Sequence, residues 1–214
     1  MGFKQRGYSR DDEQQKVRDY SLFAIACEGT VREPEYFGPF NGVDRIKVDI
    51  IEDEENRNSA PKKVLERVQK YIEEVGLSDK DNDTLWCVID VDRWPMEQIT
   101  ELQDYCAANK GFNLVISNPC FEVWLLLHKQ ESLNELDLST AQKTKQELNQ
   151  QRNGGYSYKE YLPDMPAAID NAKAVDTARG YFPAPKTTKV YILAEALWQK
   201  IGQRRFQKLI ASLK

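Results

Sequence analysis

An α/β fold, with a mostly parallel sheet flanked by helices and a helical extension at the carboxyl end, is what this sequence predicts. Four short apolar runs of strand length recur early in the chain, at 21–27, 46–51, 85–90 and 112–117. Helix-like segments separate them, which calls for right-handed crossovers and therefore parallel neighbours. Beyond about Gln130 such runs stop and helical patterns take over.

Residues 1–20 are polar and charged and predict a flexible leading segment. The first strand ends in Glu28-Gly29, and Glu33-Pro34-Glu35-Tyr36-Phe37 then opens a helix near 33–40. After the second strand a helix is expected from Pro61 to Val75, where Val64, Leu65, Val68, Tyr71, Ile72 and Val75 form one apolar stripe at helical spacing. The third strand is followed by a helix from Met96 to Asn109 and the fourth by a helix with Asn118 as N-cap and Pro119 as first residue. Together these make a core over 21–130. The remainder, 131–214, is expected to pack on it as helices near 140–151, 166–178, 188–200 and 203–213, punctuated by Pro163, Pro166, Pro183 and Pro185.

With 214 residues, 41% of them hydrophobic, the chain can bury a sizeable core. No run approaches the roughly 18 apolar residues of a membrane span, and the start is polar rather than signal-like, so a cytoplasmic location is expected. Cys27, Cys87, Cys106 and Cys120 are too widely spaced to suggest a disulfide framework or a zinc site, and packing is their expected role. A net charge of −4 argues against a general polyanion-binding coat. Local patches at Lys4, Arg6 and Arg10, at Lys186 and Lys189, and at Arg204, Arg205 and Lys208 still leave room for phosphate contacts, although each reads first as solvated surface.

The chemistry concentrates at strand ends. In Leu85-Trp86-Cys87-Val88-Ile89-Asp90-Val91-Asp92 two carboxylates spaced i and i+2 leave the same face of a strand. Held that close they repel, and a hard divalent cation with oxygen ligands relieves the repulsion. Alone, the pair is equally compatible with an exposed turn. Glu28 ends another apolar run, and ligands of such sheets sit beyond the carboxyl ends of the strands, so three acids are expected to converge there. Glu122, in the first turn of the helix after the fourth strand, is either a partner of the helix dipole or a fourth acid facing the metal or a bound water. His128, the only histidine, lies seven residues after Phe121 among leucines and reads first as a packed residue.

The set Cys27-Glu28-Gly29, Glu33-Pro34-Glu35-Tyr36-Phe37, Asp90-Val91-Asp92 and Ser117-Asn118-Pro119-Cys120-Phe121-Glu122-Val123-Trp124-Leu125-Leu126-Leu127-His128 resembles the RloB family, which is grouped with Toprim-like proteins. The resemblance runs from about 21 to about 200 and includes Tyr158-Lys159 and the stretch from Pro185 to Val190. It implies a Toprim-like sheet and a metal site of Glu28, Asp90 and Asp92, and it raises His128 as a substrate-binding candidate. RloB-like proteins are associated with restriction and abortive-infection loci. The chain departs from the usual pattern at Thr30-Val31-Arg32-Glu33, where a lysine and a threonine commonly precede the glutamate; Arg32 can stand in as the cation.

The function expected is metal-dependent cleavage of nucleic-acid phosphodiesters in phage defence, with Mg²⁺ or Mn²⁺ as cofactor. In this reading Asp90 and Asp92 are ligands, Glu28 is ligand or general base, Glu122 is a supporting acid or base, and Arg32 and Lys159 contact phosphate. The alternatives are a non-catalytic or partner-activated subunit of an ATPase-containing defence complex and a DxD metal-dependent nucleotidyl or glycosyl transferase. A DNA or RNA substrate, an ATPase partner and an oligomer are the partners considered, and the helical tail, with Tyr191, Trp198 and Phe206, is the docking surface expected for a partner.

Overall fold

Seven consecutive residues of the first strand, β1 (Ser21–Cys27), are buried, because helices cover both faces of the sheet at its centre. The computed structural model describes residues 20–52, 60–78, 81–91, 94–151 and 156–213, so the expectation for the leading segment falls outside the described residues up to residue 19. Next come α1 (Arg32–Phe37) with a 3₁₀ turn at Gly38–Phe40, β2 (Ile46–Ile51), α2 (Pro61–Val75), β3 (Thr84–Asp90), α3 (Met96–Ala108), β4 (Phe112–Asn118) and α4 (Glu122–Leu126). The second half adds α5 (Ala141–Gln150), α6 (Tyr158–Tyr161), a 3₁₀ turn at Leu162–Asp164, α7 (Met165–Val175), β5 (Thr187–Thr188) and α8 (Val190–Ser212).

The sheet runs β2-β1-β3-β4-β5, parallel except for β5, which lies antiparallel to β4. The expected α/β fold is therefore present. Alternation along β1 sorts the layers. Leu22, Ala24 and Ala26 share a core with Val64, Leu65 and Val68 of α2 and with Ile99, Leu102 and Cys106 of α3. Phe23, Ile25 and Cys27 share the other with Tyr36 and Phe37 of α1, Trp124 of α4, Ile169 of α7 and Leu193 and Leu197 of α8. Each of these larger side chains contributes roughly 1.5–3 kcal/mol by leaving water. At the amino edge the buried Asp83 ties the layers, its two carboxylate oxygens accepting from Leu22 N–H at 2.9 Å and Ser78 N–H at 3.0 Å. On the outer strand β2, Lys47 and Asp49 pair at 3.6 Å, charges that discourage another strand from adding there. All four cysteines are buried and free.

Four expectations need correction. Asn118 does not cap a helix: it ends β4, pairs with Thr187 of β5 and donates its side-chain amide to Pro183 O at 3.1 Å, so it stays extended. The Asn118-Pro119 peptide is cis, and α4 begins at Glu122 after Phe121. Strands do not stop at Gln130 either, since Thr187–Thr188 closes the far edge of the sheet. The helix near 33–40 divides into α1 and the 3₁₀ turn, with Pro39 in the second piece. The two terminal helices expected around residue 202 are two arms of α8 that meet at Gly202, whose φ of 71° and ψ of 159° break the helical path. Beyond that break Phe206 stacks on Phe40, ring centres 6.4 Å apart, and meets Trp198 edge-on at 4.8 Å.

Candidate functional site

The order β2-β1-β3 means that the chain leaves β1 in one direction along the sheet and later returns past it in the other. The crevice beyond the carboxyl ends of β1 and β3 is thus a topological switch point, the usual ligand position of open parallel sheets. Glu28 and Asp90 stand there.

Glu28 follows the last residue of β1, and its backbone N–H donates to Val88 O of β3 at 2.9 Å. Its carboxylate, buried, is gripped from the β3 side. Oε2 accepts the backbone N–H of Asp90 at 2.9 Å and Oε1 accepts the indole Nε1–H of Trp94 at 2.8 Å. From behind, the Arg67 guanidinium of α2 donates to Cys27 O at 2.9 Å, so a cation backs the carbonyl just before Glu28. Asp92, the third expected acid, lies outside the described residues.

A second acid set leans on the first. Glu33 in α1 is buried and accepts Gly29 N–H at 3.2 Å; a side chain on Gly29 would collide with that carboxylate, which is why the turn after Glu28 carries none. Burial raises the Glu33 carboxyl above its ordinary range, opposed by the backbone N–H bonds and by the charges of Lys145 in α5 and Arg32. Beside it Arg32 Nη1 donates to Glu122 Oε1. The Glu122 side chain is only 4% exposed and that of Arg32 28%. Glu122 Oε2 is buried with no hydrogen-bond partner among the described residues. Burial, and then the charges of Glu35 and Glu33, raise the Tyr156 hydroxyl well above its ordinary range.

His128 and Lys159 stand differently. His128, just past α4, is buried against Tyr36, which lies one turn along α1 from Arg32. Its Nδ1 lies 2.9 Å from Trp124 O, so that nitrogen carries the proton, and Nε2 accepts from Tyr36 O–H at 2.8 Å. Burial lowers it to about 4, so the ring is neutral at physiological pH, and the rings of Trp124 and Tyr161 stand edge-on to it. Lys159 is exposed on α6.

Glu33, Trp94, Lys145 and Arg67 join the neighbourhood without having been singled out as site residues by the sequence. Glu33 had one signal, the glutamate of the family pattern, and the other three had none. The match to the RloB-like protein family model spans residues 23–197, most of the chain. The chain belongs to that family. No curated protein and no solved structure matches it. In this RloB-like chain the match covers β1 to the first arm of α8, so both acid sets fall inside it.

The donor set suits a hard cation. The Glu28 carboxylate meets the backbone of Asp90 at the switch point, and the buried Glu122 Oε2 has no hydrogen-bond partner among the described residues, so the acids of this end of the sheet are of the oxygen-donor kind that a hard cation takes. Among the described residues no group of three or more His, Cys, Asp or Glu side chains is arranged to hold a metal ion. Nor, among those residues, is any helix long and apolar enough to cross a membrane.

Proposed function

We propose that this protein is a divalent-metal-dependent phosphodiesterase that cleaves nucleic acid. The observation that carries the reading is the meeting of Glu28 and Asp90 at the switch point, with the Arg32–Glu122 pair beside them. Glu28, Asp90 and Asp92 are the residues that would hold Mg²⁺ or Mn²⁺. Such an ion, when bound, polarises a phosphoryl oxygen and lowers the pKa of a coordinated water toward neutrality.

The chain's own residues do the rest. Arg32 spends one N–H on Glu122 and keeps part of its guanidinium in solvent, so its remaining donors can take a phosphate oxygen. Glu122 fixes that guanidinium in place and offers Oε2 as a proton acceptor. Glu33 holds the Gly29 turn and so the backbone that delivers Glu28. Lys159 is exposed and can meet a more distant phosphate. His128, with both nitrogens engaged, supports α1 from beneath and through it Arg32. A role in phage defence by abortive infection, in the cytoplasm, belongs to the same proposal and rests on the family resemblance.

The test is cleavage of a panel of single- and double-stranded DNA and RNA by the purified protein with Mg²⁺ or Mn²⁺. Cleavage is expected to stop with chelator and to fall by at least about a hundredfold in Asp90→Ala and Glu28→Gln. Cleavage that survives Asp90→Ala would refute the reading. Cation binding without cleavage by the chain alone would favour the partner-activated alternative.

A further inference from the structure

Trp94 sits four residues beyond the end of β3, and its side chain turns back to the end of β1. Its ring packs half-buried against the core shared by β1, β3, α2 and α3, which fixes where the indole N–H points. That N–H reaches Glu28 Oε1 at 2.8 Å, while the backbone of Asp90 takes Oε2 at 2.9 Å. The last residue of β3 and the connection that follows it therefore supply one donor each to one carboxylate. A hydrogen bond to an ionised acceptor is of the stronger kind. Two donors on different oxygens set the plane of the carboxylate, which has about four acceptor positions. The terminal torsion of a glutamate is intrinsically soft, and the indole N–H is one of the two donors here that fix it, the other being the Asp90 N–H.

We propose that Trp94 is a positioning residue for a divalent cation: its indole N–H holds the Glu28 carboxylate in the orientation that binds the ion. This rests on the metal-site reading above. It extends that reading to a residue whose packing would otherwise count as ordinary core, and it assigns the N–H rather than the ring as the working part. Hydrogen-bond partners of ligating carboxylates are worth about 10- to 100-fold in metal affinity.

The experiment is a calorimetric Mn²⁺ titration of the native protein, Trp94→Phe, Glu28→Gln and the double variant, each with its melting temperature. Phenylalanine keeps most of the ring and removes the N–H. Affinity about 10- to 100-fold weaker in Trp94→Phe, an unchanged melting temperature, and a double variant no weaker than Glu28→Gln would support the proposal. Native-like affinity in Trp94→Phe would overturn it and leave the metal site standing. No Mn²⁺ binding by the native protein would overturn the metal reading and this inference together. A second measurement does not depend on any variant folding. Among the four indole N–H signals of the native protein, those of Trp86, Trp94, Trp124 and Trp198, bound Mn²⁺ must broaden that of Trp94 first. Prior broadening of another indole would overturn the proposal.

Discussion

Arg32 and Glu122 form an ion pair whose halves meet water unequally, 28% of one side chain exposed against 4% of the other. Removing the cation strands a buried carboxylate, whereas removing the carboxylate leaves a guanidinium that water can still reach. Arg32→Gln is therefore expected to destabilise the protein by roughly 2–3 kcal/mol and Glu122→Gln by about 1 kcal/mol. Urea denaturation at neutral pH reads the order, and a larger loss in Glu122→Gln would contradict this account of the pair. At this scale the sequence is uneven in what it reveals. Glu28 and Asp90 are legible because an acid that ends an apolar run has only the sheet edge to occupy. The work of Trp94 is not, since it depends on a partner 66 positions away in the chain. Glu33 is intermediate: the family pattern marks it, but its grip on Gly29 needs α1 folded back over the turn.

Gly38 and Gly202 show how backbone conformation decides what an element tolerates. A methyl group added at either would meet nothing within 4 Å, so packing does not distinguish them. Gly38 has φ −52° and ψ −40°, ordinary for any residue, and Gly38→Ala is expected to be neutral or to stabilise by up to about 1 kcal/mol through the unfolded chain. Gly202, at φ 71° and ψ 159°, occupies a region essentially reserved for glycine, and Gly202→Ala is expected to destabilise by about 1–3 kcal/mol. The melting temperature of Gly202→Ala should fall while that of Gly38→Ala holds or rises, and a neutral Gly202→Ala would mean that the two arms of α8 can straighten. The break at Gly202 brings Phe206 into the core against Phe40 and Trp198. Tyr191 likewise donates to Asp176 at 2.8 Å, so the aromatic residues expected to dock a partner have partners within the chain. Long elements such as α2 are legible because fifteen residues carry a full apolar stripe. β5 is not, because two residues carry no period, and the Asn118-Pro119 pair misleads because strand pairing overrides a good capping signal.

For the molecule as a whole, the buried neutral His128 makes stability depend on pH. Its value falls from 6.5 to about 4 on folding, so between those limits the unfolded chain takes up a proton that the folded one refuses. The contribution is complete above the unfolded value and is lost as pH falls toward the folded one, about 3 kcal/mol in all. Glu33, raised by burial, works in the opposite sense: its contribution is complete below 4.5 and is lost as pH rises through its folded value. Comparison with His128→Asn separates the two. The stability difference between native protein and variant should shrink by about 3 kcal/mol from pH 7 to pH 4 in urea melts, and a constant difference would exclude a neutral buried imidazole. Finally, β5 gives the molecule an order of assembly. The edge of β4 at Ser117 and Asn118 is closed by Thr187 and Thr188, which a ribosome adds roughly 70 residues later. At about 5–20 residues per second that is an interval of about 3–14 s in which the acids at the ends of β1 and β3 exist on a sheet whose last edge is open. A nascent chain that stops short of Thr187 therefore carries these acids on a four-stranded sheet without its antiparallel edge.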